Sequence, residues 1–311
     1  MQSLFNIINK PLAYVLEWLA SLFGGSFPAA VFFFTLIINI ALIPLSIKSQ
    51  KSSVQQTRIK PTLDELKKRY GDNKQKYSEA MQQLYTDEGV SMSGGCLPMI
   101  LRLIIMMSIY WLLMQPITYL MHVDSATIAE AAKALGVATN KSGYELDLIK
   151  SVLANADKFP ELAEKFSSIN FNFIGLSLTD KPTFSFDIFN DFQKIWLMPI
   201  IAFAAQIFTS LISMLMQKKT NPEAPSMMGM MLTMPLFSLF IGFTLPGGVT
   251  FYWACSSLIG GFVQLATQYF YGPHKMLAKE RTKELAKQCD FEAGQIKKIN
   301  SVTVNGEEEN S

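Results

Sequence analysis

The sequence predicts an all-α, polytopic membrane protein, and three observations point that way. Only 17% of the 311 residues are charged against 50% apolar, where soluble domains average about a quarter charged. The deficit is concentrated in five windows almost free of charge, and the segments between them are as polar as any soluble protein. Lysine and arginine gather in the loops on one side of those windows. Together these features exclude a single soluble core and a disordered chain. The net charge of +2 gives no ground for direct nucleic-acid recognition. Cys96, Cys255 and Cys289 form no CxxC pair, and with two histidines in all the chain offers little for a disulfide framework, a metal site or acid–base catalysis. No cofactor, metal or enzymatic activity is expected.

Residues 1–26 hold an apolar stretch, Pro11 to Phe23, too short to span and ended by Gly24-Gly25. It reads as an interfacial helix on the outer face, and it lacks the basic start of a cleaved signal. The first span is 27–47, free of charge and with one amide, Asn39. Residues 48–96 read as a helical hairpin, because Ile59, Leu63, Leu66 and Tyr70 form one apolar stripe and Tyr77, Met81 and Leu84 another. Gly71 separates the arms, Asp72 is placed to cap the second, Gly89 to close it, and Pro61 to kink the first or start a new helix. Composition leaves a docking element and a solvated connector equally open.

The second span, 97–121, is interrupted by one cation, Arg102. A loop at 122–192 follows, with ten acids and six lysines between His122 and Asp191 and helix-like stretches near Ser125 to Leu135 and Tyr144 to Phe159. The third span is 193–216, the loop 217–226, the fourth span 227–245 and the fifth 249–270, with Pro246-Gly247-Gly248 between the last two and a tail at 271–311. Each span is long enough for ~30 Å of hydrocarbon at ~1.5 Å per residue. Nine cations lie between Lys48 and Lys76, two more are Lys218 and Lys219, and seven follow Tyr271. That bias puts the hairpin, the Lys218 loop and the C-terminus in the cytoplasm and the N-terminus outside.

Arg102 lies five positions into its span, ~8 Å from the boundary. A cation in a span faces a polar interior or water, or, this shallow, snorkels to the headgroups. Asn39 sits at ~12 Å from the same boundary; it faces a cavity or makes an interhelical hydrogen bond. Other polar groups in the spans are Ser108, Gln115, Gln206, Ser210, Ser256, Ser257, Gln264 and Gln268, with Gln206 and Ser210 one turn apart and Gln264 and Gln268 likewise. Several spans therefore present polar faces in their cytoplasmic halves. None of the spans contains a carboxylate, which argues against proton-coupled transport. A methionine-rich stretch, Met214 to Met234, suits varied apolar partners but is also ordinary in membrane spans.

Several strings are familiar in order: TLIINIALIPL (Thr35 to Leu45), GDNKQK (Gly71 to Lys76), QQLY (Gln82 to Tyr85), GGCLP (Gly94 to Pro98) and LPGGVTFYW (Leu245 to Trp253). Together they resemble the YidC/Oxa/Alb family of membrane protein insertases, in its compact Gram-positive type. The resemblance implies five core helices around a hydrophilic groove, open to the cytoplasm and lipid and sealed outside, in a bacterial cell membrane. It implies insertion of nascent membrane proteins without nucleotide hydrolysis, with the ribosome, membrane lipids and in some members the Sec translocon as partners. A family arginine in the string T-x-x-x-R-x-x-x-x-P reads here as Asn39, between Thr35 and Pro44, while the family glutamine four residues after GGCLP reads as Arg102. The cation thus moves from one groove wall to the facing one. By the same resemblance Ser210, with Gln206 one turn away, Trp253 and Ser257 line the groove, and Gln264, read as a polar group of the fifth span, joins them. The tail departs too, with seven basic and seven acidic residues and a Glu307-Glu308-Glu309 end, which speaks against tethering a ribosome through it. A small-solute transporter or channel is the rival from another class, and it predicts internal repeats and a polar path to the outside, neither of which the sequence contains. A chaperone that shields spans without inserting them would keep the hairpin and tolerate loss of Arg102.

Overall fold

The computed structural model describes residues 2–71, 73–90, 97–183, 192–220 and 228–272, and scattered positions from 275 to 296. Asp72, the Gly94 to Cys96 part of GGCLP, residues 221–227, most of the methionine-rich side chains and the end of the tail lie outside the described residues. The chain forms two compact units, 1–44 with 97–266, and 45–96 with 267–311.

The first unit opens with α1 (Gln2–Leu22), a 21-residue helix that carries Pro11 inside it. It is longer than the 13-residue interfacial stretch expected, because Asn9 and Lys10 interrupt the apolar composition without interrupting the helix. One face, Ala13, Leu16, Leu19 and Ala20, is buried, and α1 packs on α2 (Phe27–Ala41) and α5 (Leu97–Met114). The other face, with Ile7, Tyr14, Val15, Trp18 and Leu22, is exposed. Between α2 and α5 the chain runs through α3 (Ile43–Tyr70) and α4 (Lys74–Asp87). The helix α5 stops at Met114, inside the expected 97–121 span. Gln115 precedes a proline and takes φ −131°, ψ 56°, and Pro116 starts the four-residue α6 (Pro116–Tyr119).

The following segment is an ordered helical cap. It contains α7 (Ser125–Ala134), α8 (Tyr144–Ala154) and α9 (Pro160–Ser167), and a short hairpin of β1 (Asn172–Phe173) and β2 (Leu176–Ser177). The expected helix at Tyr144 to Phe159 ends instead at Ala154, and α9 and the hairpin were not anticipated. Asp124 caps α7 through the Ala126 and Thr127 amides, and its bond with the Thr127 hydroxyl leads the effects that hold its carboxyl below the usual range. Ala131, Ala132, Leu148, Ile149, Val152 and Phe166 join Leu112, Ile117 and Phe34 in one apolar core.

This cap grips two helix starts through backbone bonds. Phe27 N–H donates to Asn170 O at 3.0 Å and Asn170 N–H to Gly25 O at 2.8 Å. At the other grip, Gly247 N–H donates to Asp180 O at 2.8 Å and Gly248 N–H to Leu178 O at 2.7 Å, at the start of α12 (Gly247–Tyr271). A Cβ on Gly247 would fall 2.7 Å from Ile195 Cδ1 and 3.4 Å from the Leu178 backbone. The glycine pair of LPGGVTFYW is therefore a docking point for backbone. A 3₁₀ turn, Lys194–Trp196, leads into α10 (Leu197–Thr220), which packs on α11 (Met228–Gly242).

Two described helices are long and apolar enough to cross a membrane, Lys194–Leu215 and Gly247–Tyr271, and α2 with Ile43–Gln56 makes a third if the bent pair counts as one span.

In the second unit α3 continues without interruption through Pro61, where a break or kink was expected. Asn73, not Asp72, caps α4, accepting from Lys76 N–H at 3.1 Å. Gly89, at φ +60°, closes it. Arg58 of α3 pairs with Glu88 at the end of α4, and Gln50 donates to the Thr267 hydroxyl at 3.3 Å. Among the described cysteines, Cys255 and Cys289 are free thiols.

Candidate functional site

The helices of the first unit are unevenly packed along their length. In α2 the buried residues are Phe27, Pro28, Ala30, Val31, Phe34 and Thr35, all in its first nine positions, and beyond Thr35 none is buried. In α10 burial stops at Ala205 among the described side chains, and from Gln206 to Leu215 every residue is half-buried or exposed. In α12 the run from Gly247 to Cys255 is buried except for Trp253, whereas from Ser256 to Ala266 only Ile259 and Gly261 are. The helix α5 runs the other way and shows the mirror pattern, with Ser108, Ile109 and Leu112 to Met114 buried and Ile100, Leu103 and Met107 exposed. In every case the tight end is the one joined to the cap.

The polar residues fall in the loose ends. Asn39 is half-buried on the last turn of α2; its Nδ2 donates to Thr35 O at 2.8 Å. Its Oδ1 faces α12, since a Cβ on Gly260 would lie 3.4 Å from it. On α10, Gln206 and Ser210 are half-buried on one stripe. That stripe continues to Ser213, whose hydroxyl lies 3.0 Å from Gln264 Nε2 and 3.2 Å from Gln264 Oε1 on α12. Ser257 and Trp253 are half-buried one turn apart on α12, and Trp253 packs on the core cluster. A Cβ on Gly261 would fall 2.4 Å from Thr209 Cγ2, so α10 and α12 approach closely there.

The structure thus brings Asn39 beside Gly260 of α12 and joins α10 to α12 through Ser213 and Gln264. Arg102 lies on α5, and its side chain is outside the described residues. Ser213 was missed, although it follows Ser210 by three residues and extends the stripe already begun at Gln206. Two more polar groups are sealed in the tight region without a protein partner, Asn9 of α1 and Ser108 of α5, each fully buried. Among the described residues there is no His/Cys/Asp/Glu group able to hold a metal ion.

One further polar contact lies in the cap. Glu145, 1% exposed, accepts from the Thr118 amide at 3.0 Å and the Thr118 hydroxyl at 2.6 Å. Burial pushes its carboxyl above the usual range against the opposing pull of those bonds. It ties α8 to α6.

Apolar helices long enough to cross a membrane, packed at one end under a helical cap, fit an all-α membrane protein. The chain belongs to the 60Kd inner membrane protein family, whose profile matches residues 18–274. It is 38% identical over 108 residues to the membrane protein insertase YidC of Bordetella petrii, covering 35% of this chain and 19% of that one. To the protein of the same name from Methylococcus capsulatus it is 35% identical over 114 residues, covering 37% and 21%. For the Maridesulfovibrio salexigens YidC the figures are 37% over 120 residues, covering 39% and 22%. The match spans about a fifth of the length of these curated relatives.

Proposed function

We propose that this chain is a membrane protein insertase of five spans, N-terminus outside and C-terminus cytoplasmic, working through a polar groove between α2, α5, α10 and α12. The observation that carries this is the packing gradient, tight at the cap and loose at the end that holds Asn39, Gln206, Ser210, Ser257 and Gln264. With the lysine-rich hairpin and tail in the cytoplasm, the loose end faces inward and the cap seals the outside. The relatives' name as insertases supports the same reading.

The physics of such a groove needs no nucleotide. A polar segment entering hydrocarbon loses its hydrogen bonds at several kcal/mol per group. Half-buried amides and hydroxyls, with the water they admit, offer it partners partway across. Arg102, the one charged residue of α5, attracts acidic segments. The substrate's own apolar span then moves into lipid, gaining about 25 cal/mol per Å² removed from water. Nascent membrane proteins are the substrates, delivered by ribosomes and in some cases shared with the Sec translocon.

The test is insertion of small single-spanning proteins, with acidic or neutral tails, into liposomes holding only the purified chain. Wild type is expected to insert both. Arg102→Gln should lose the acidic-tailed substrate and keep the neutral one, which also reports that the variant is folded. Adding Asn39→Arg to Arg102→Gln should restore the acidic one. Equal insertion of the acidic-tailed substrate by all three forms removes the electrostatic role, and no insertion by folded wild type overturns the insertase reading.

A further inference from the structure

A second polar site lies in the cap, away from the helix stripe. Strand β2, the turn at Asp180-Lys181 and the 3₁₀ turn that opens α10 border an open cavity of ≈ 400 Å³, lined by Lys150, Ser177, Asp180, Lys181, Gln193 and Lys194 among others. That size is within the ~300–1,000 Å³ of small-molecule sites. Lys150 Nζ is engaged by Asp180 at 2.8 Å. Lys181 and Lys194 are exposed and have no ion-pair partner among the described residues. Among the described lining residues three ammonium groups stand against one carboxylate, in a segment with ten acids and six lysines from His122 to Asp191. A lysine cluster in an otherwise acidic region is suited to an anion.

The position of the cavity says which anion. Lys194 and Ile195 in its wall are the first residues of the apolar helix Lys194–Leu215. Asp180, in the facing wall, holds the first residue of α12 through Gly247 N–H at 2.8 Å. Two membrane-spanning helices therefore begin at the cavity, which sets it at headgroup height, a step that rests on α10 and α12 crossing the bilayer. The rim is apolar where it would meet acyl chains. Ile174, at the hairpin tip beside Gly175, is 87% exposed, and Phe192 is 54% exposed against Trp196. Trp196, buried beneath Phe192, donates from its indole to Thr183 O at 3.1 Å.

We propose that this cavity binds the phosphate of an anionic phospholipid in the outer leaflet, with Lys181 and Lys194 as its ligands, Lys150 and Ser177 completing the polar wall, and Ile174 and Phe192 flanking the chains. Lysine meets phosphate as a point charge with three donors. Occupancy would fasten the sealed end of the bundle to the bilayer surface.

The test uses the full chain, delipidated in detergent and titrated with phosphatidylglycerol, phosphatidylcholine of the same chain length, or inorganic phosphate, with retained lipid counted by native mass spectrometry. Wild type is expected to hold phosphatidylglycerol in preference to phosphatidylcholine. Lys181→Gln with Lys194→Gln should lower that preference roughly tenfold or more, while Lys181→Arg with Lys194→Arg should keep it. Lys141→Gln with Lys158→Gln, elsewhere on the cap, should leave it unchanged. Preference unaltered in the Gln pair, or absent in wild type, overturns the site. Displacement of phosphatidylglycerol by inorganic phosphate at equal concentration overturns the lipid as occupant. The Gln pair should still insert substrate into phosphatidylcholine liposomes, so failure of this site and failure of the insertase reading are separately visible.

Discussion

Gly261 marks a close approach of α12 to α10, and the cost of filling it follows from geometry. A Cβ added there lies 2.4 Å from Thr209 Cγ2 and 3.5 Å from Thr209 Cβ. Carbon atoms rest at about 3.5–4.0 Å, so Gly261→Ala must move the two helices apart by about 1 Å. At Gly260 the same Cβ meets Asn39 Oδ1 at 3.4 Å, close to ordinary contact. Overpacking of this kind costs about 1–3 kcal/mol. The ~1 kcal/mol that alanine gains over glycine in water largely cancels, because a spanning helix stays helical when its bundle comes apart. Gly261→Ala should therefore lose about 1–3 kcal/mol and Gly260→Ala less than about 0.5 kcal/mol. Thr209→Ser removes the methyl that is struck and leaves a hydroxyl for the Ala205 and Gln206 carbonyls that Thr209 now bonds at 3.2 and 3.0 Å. Combined with Gly261→Ala it should recover most of the loss. Reversible unfolding in mixed micelles, followed by tryptophan fluorescence, measures all four forms. Equal stability of the two alanine variants, or no rescue by Thr209→Ser, refutes the close packing.

A double-mutant cycle on Ser213→Ala and Gln264→Leu should give a coupling of about 0.6 kcal/mol, the usual value for hydrogen bonds between spanning helices; zero coupling would deny the α10–α12 bond. Glu145 has its folded-state pKa raised by burial, so the native state binds the proton more tightly than the unfolded one. Its contribution is fully present below the unfolded value and lost as pH rises through the folded one. Unfolding midpoints of wild type should fall across that window and those of Glu145→Gln stay flat, whereas parallel curves would contradict the burial effect. Ile174 sits at φ +50° in the hairpin turn, and Ile174→Asn, which tolerates that region, should raise stability by about 1 kcal/mol; an unchanged unfolding midpoint counts against strain there. With Cys96, Cys255 and Cys289 replaced by serine, a membrane-impermeant maleimide added from the cytoplasmic side should label Ser210→Cys and Ser257→Cys but not Ala202→Cys or Val249→Cys. Equal labelling at all four positions would remove the packing gradient as a guide to the groove.

The apolar helices at α10 and α12 were legible because a charge-free window of sufficient length leaves the backbone only one way to satisfy itself in lipid. Boundaries were less so, since the same apolarity hides a break. Gln115-Pro116 carries the pre-proline restriction in plain sight, yet the apolar run crosses it. At the N-terminus the error went the other way: Asn9 ended the apolar window but sits fully buried in a helix that continues through it. The Asn73 cap and its neighbour Asp72 are chemically equivalent choices, separable only by backbone geometry. The cap hairpin was invisible because its turn, Ile174-Gly175, lacks the asparagine or aspartate that announces such turns. Gln206, Ser210 and Gln264 could be picked out as polar groups in apolar helices. Ser213 continues the stripe of Gln206 and Ser210, but its pairing with Gln264 could not be read, because pairing between helices is not a property of either sequence stretch alone.

The loose end of the bundle and its amides bear on each other. Ser213 and Gln264 satisfy one another across the α10–α12 contact. Gln206, half-buried nearby, has no side-chain partner in the described protein, and Asn39 uses one of its donors on its own helix. In hydrocarbon a half-exposed amide without partners costs several kcal/mol, and no gain in packing offsets it, because the surrounding residues from Gln206 onward are not buried. In water the same exposure costs nothing. Placing these amides where helix packing relaxes, on the side opposite the backbone-clamped cap, therefore supports the proposed groove as a water-filled recess beneath the cap. A segment that replaced that water would find donors and acceptors already in place, and its apolar neighbour would find lipid beside it.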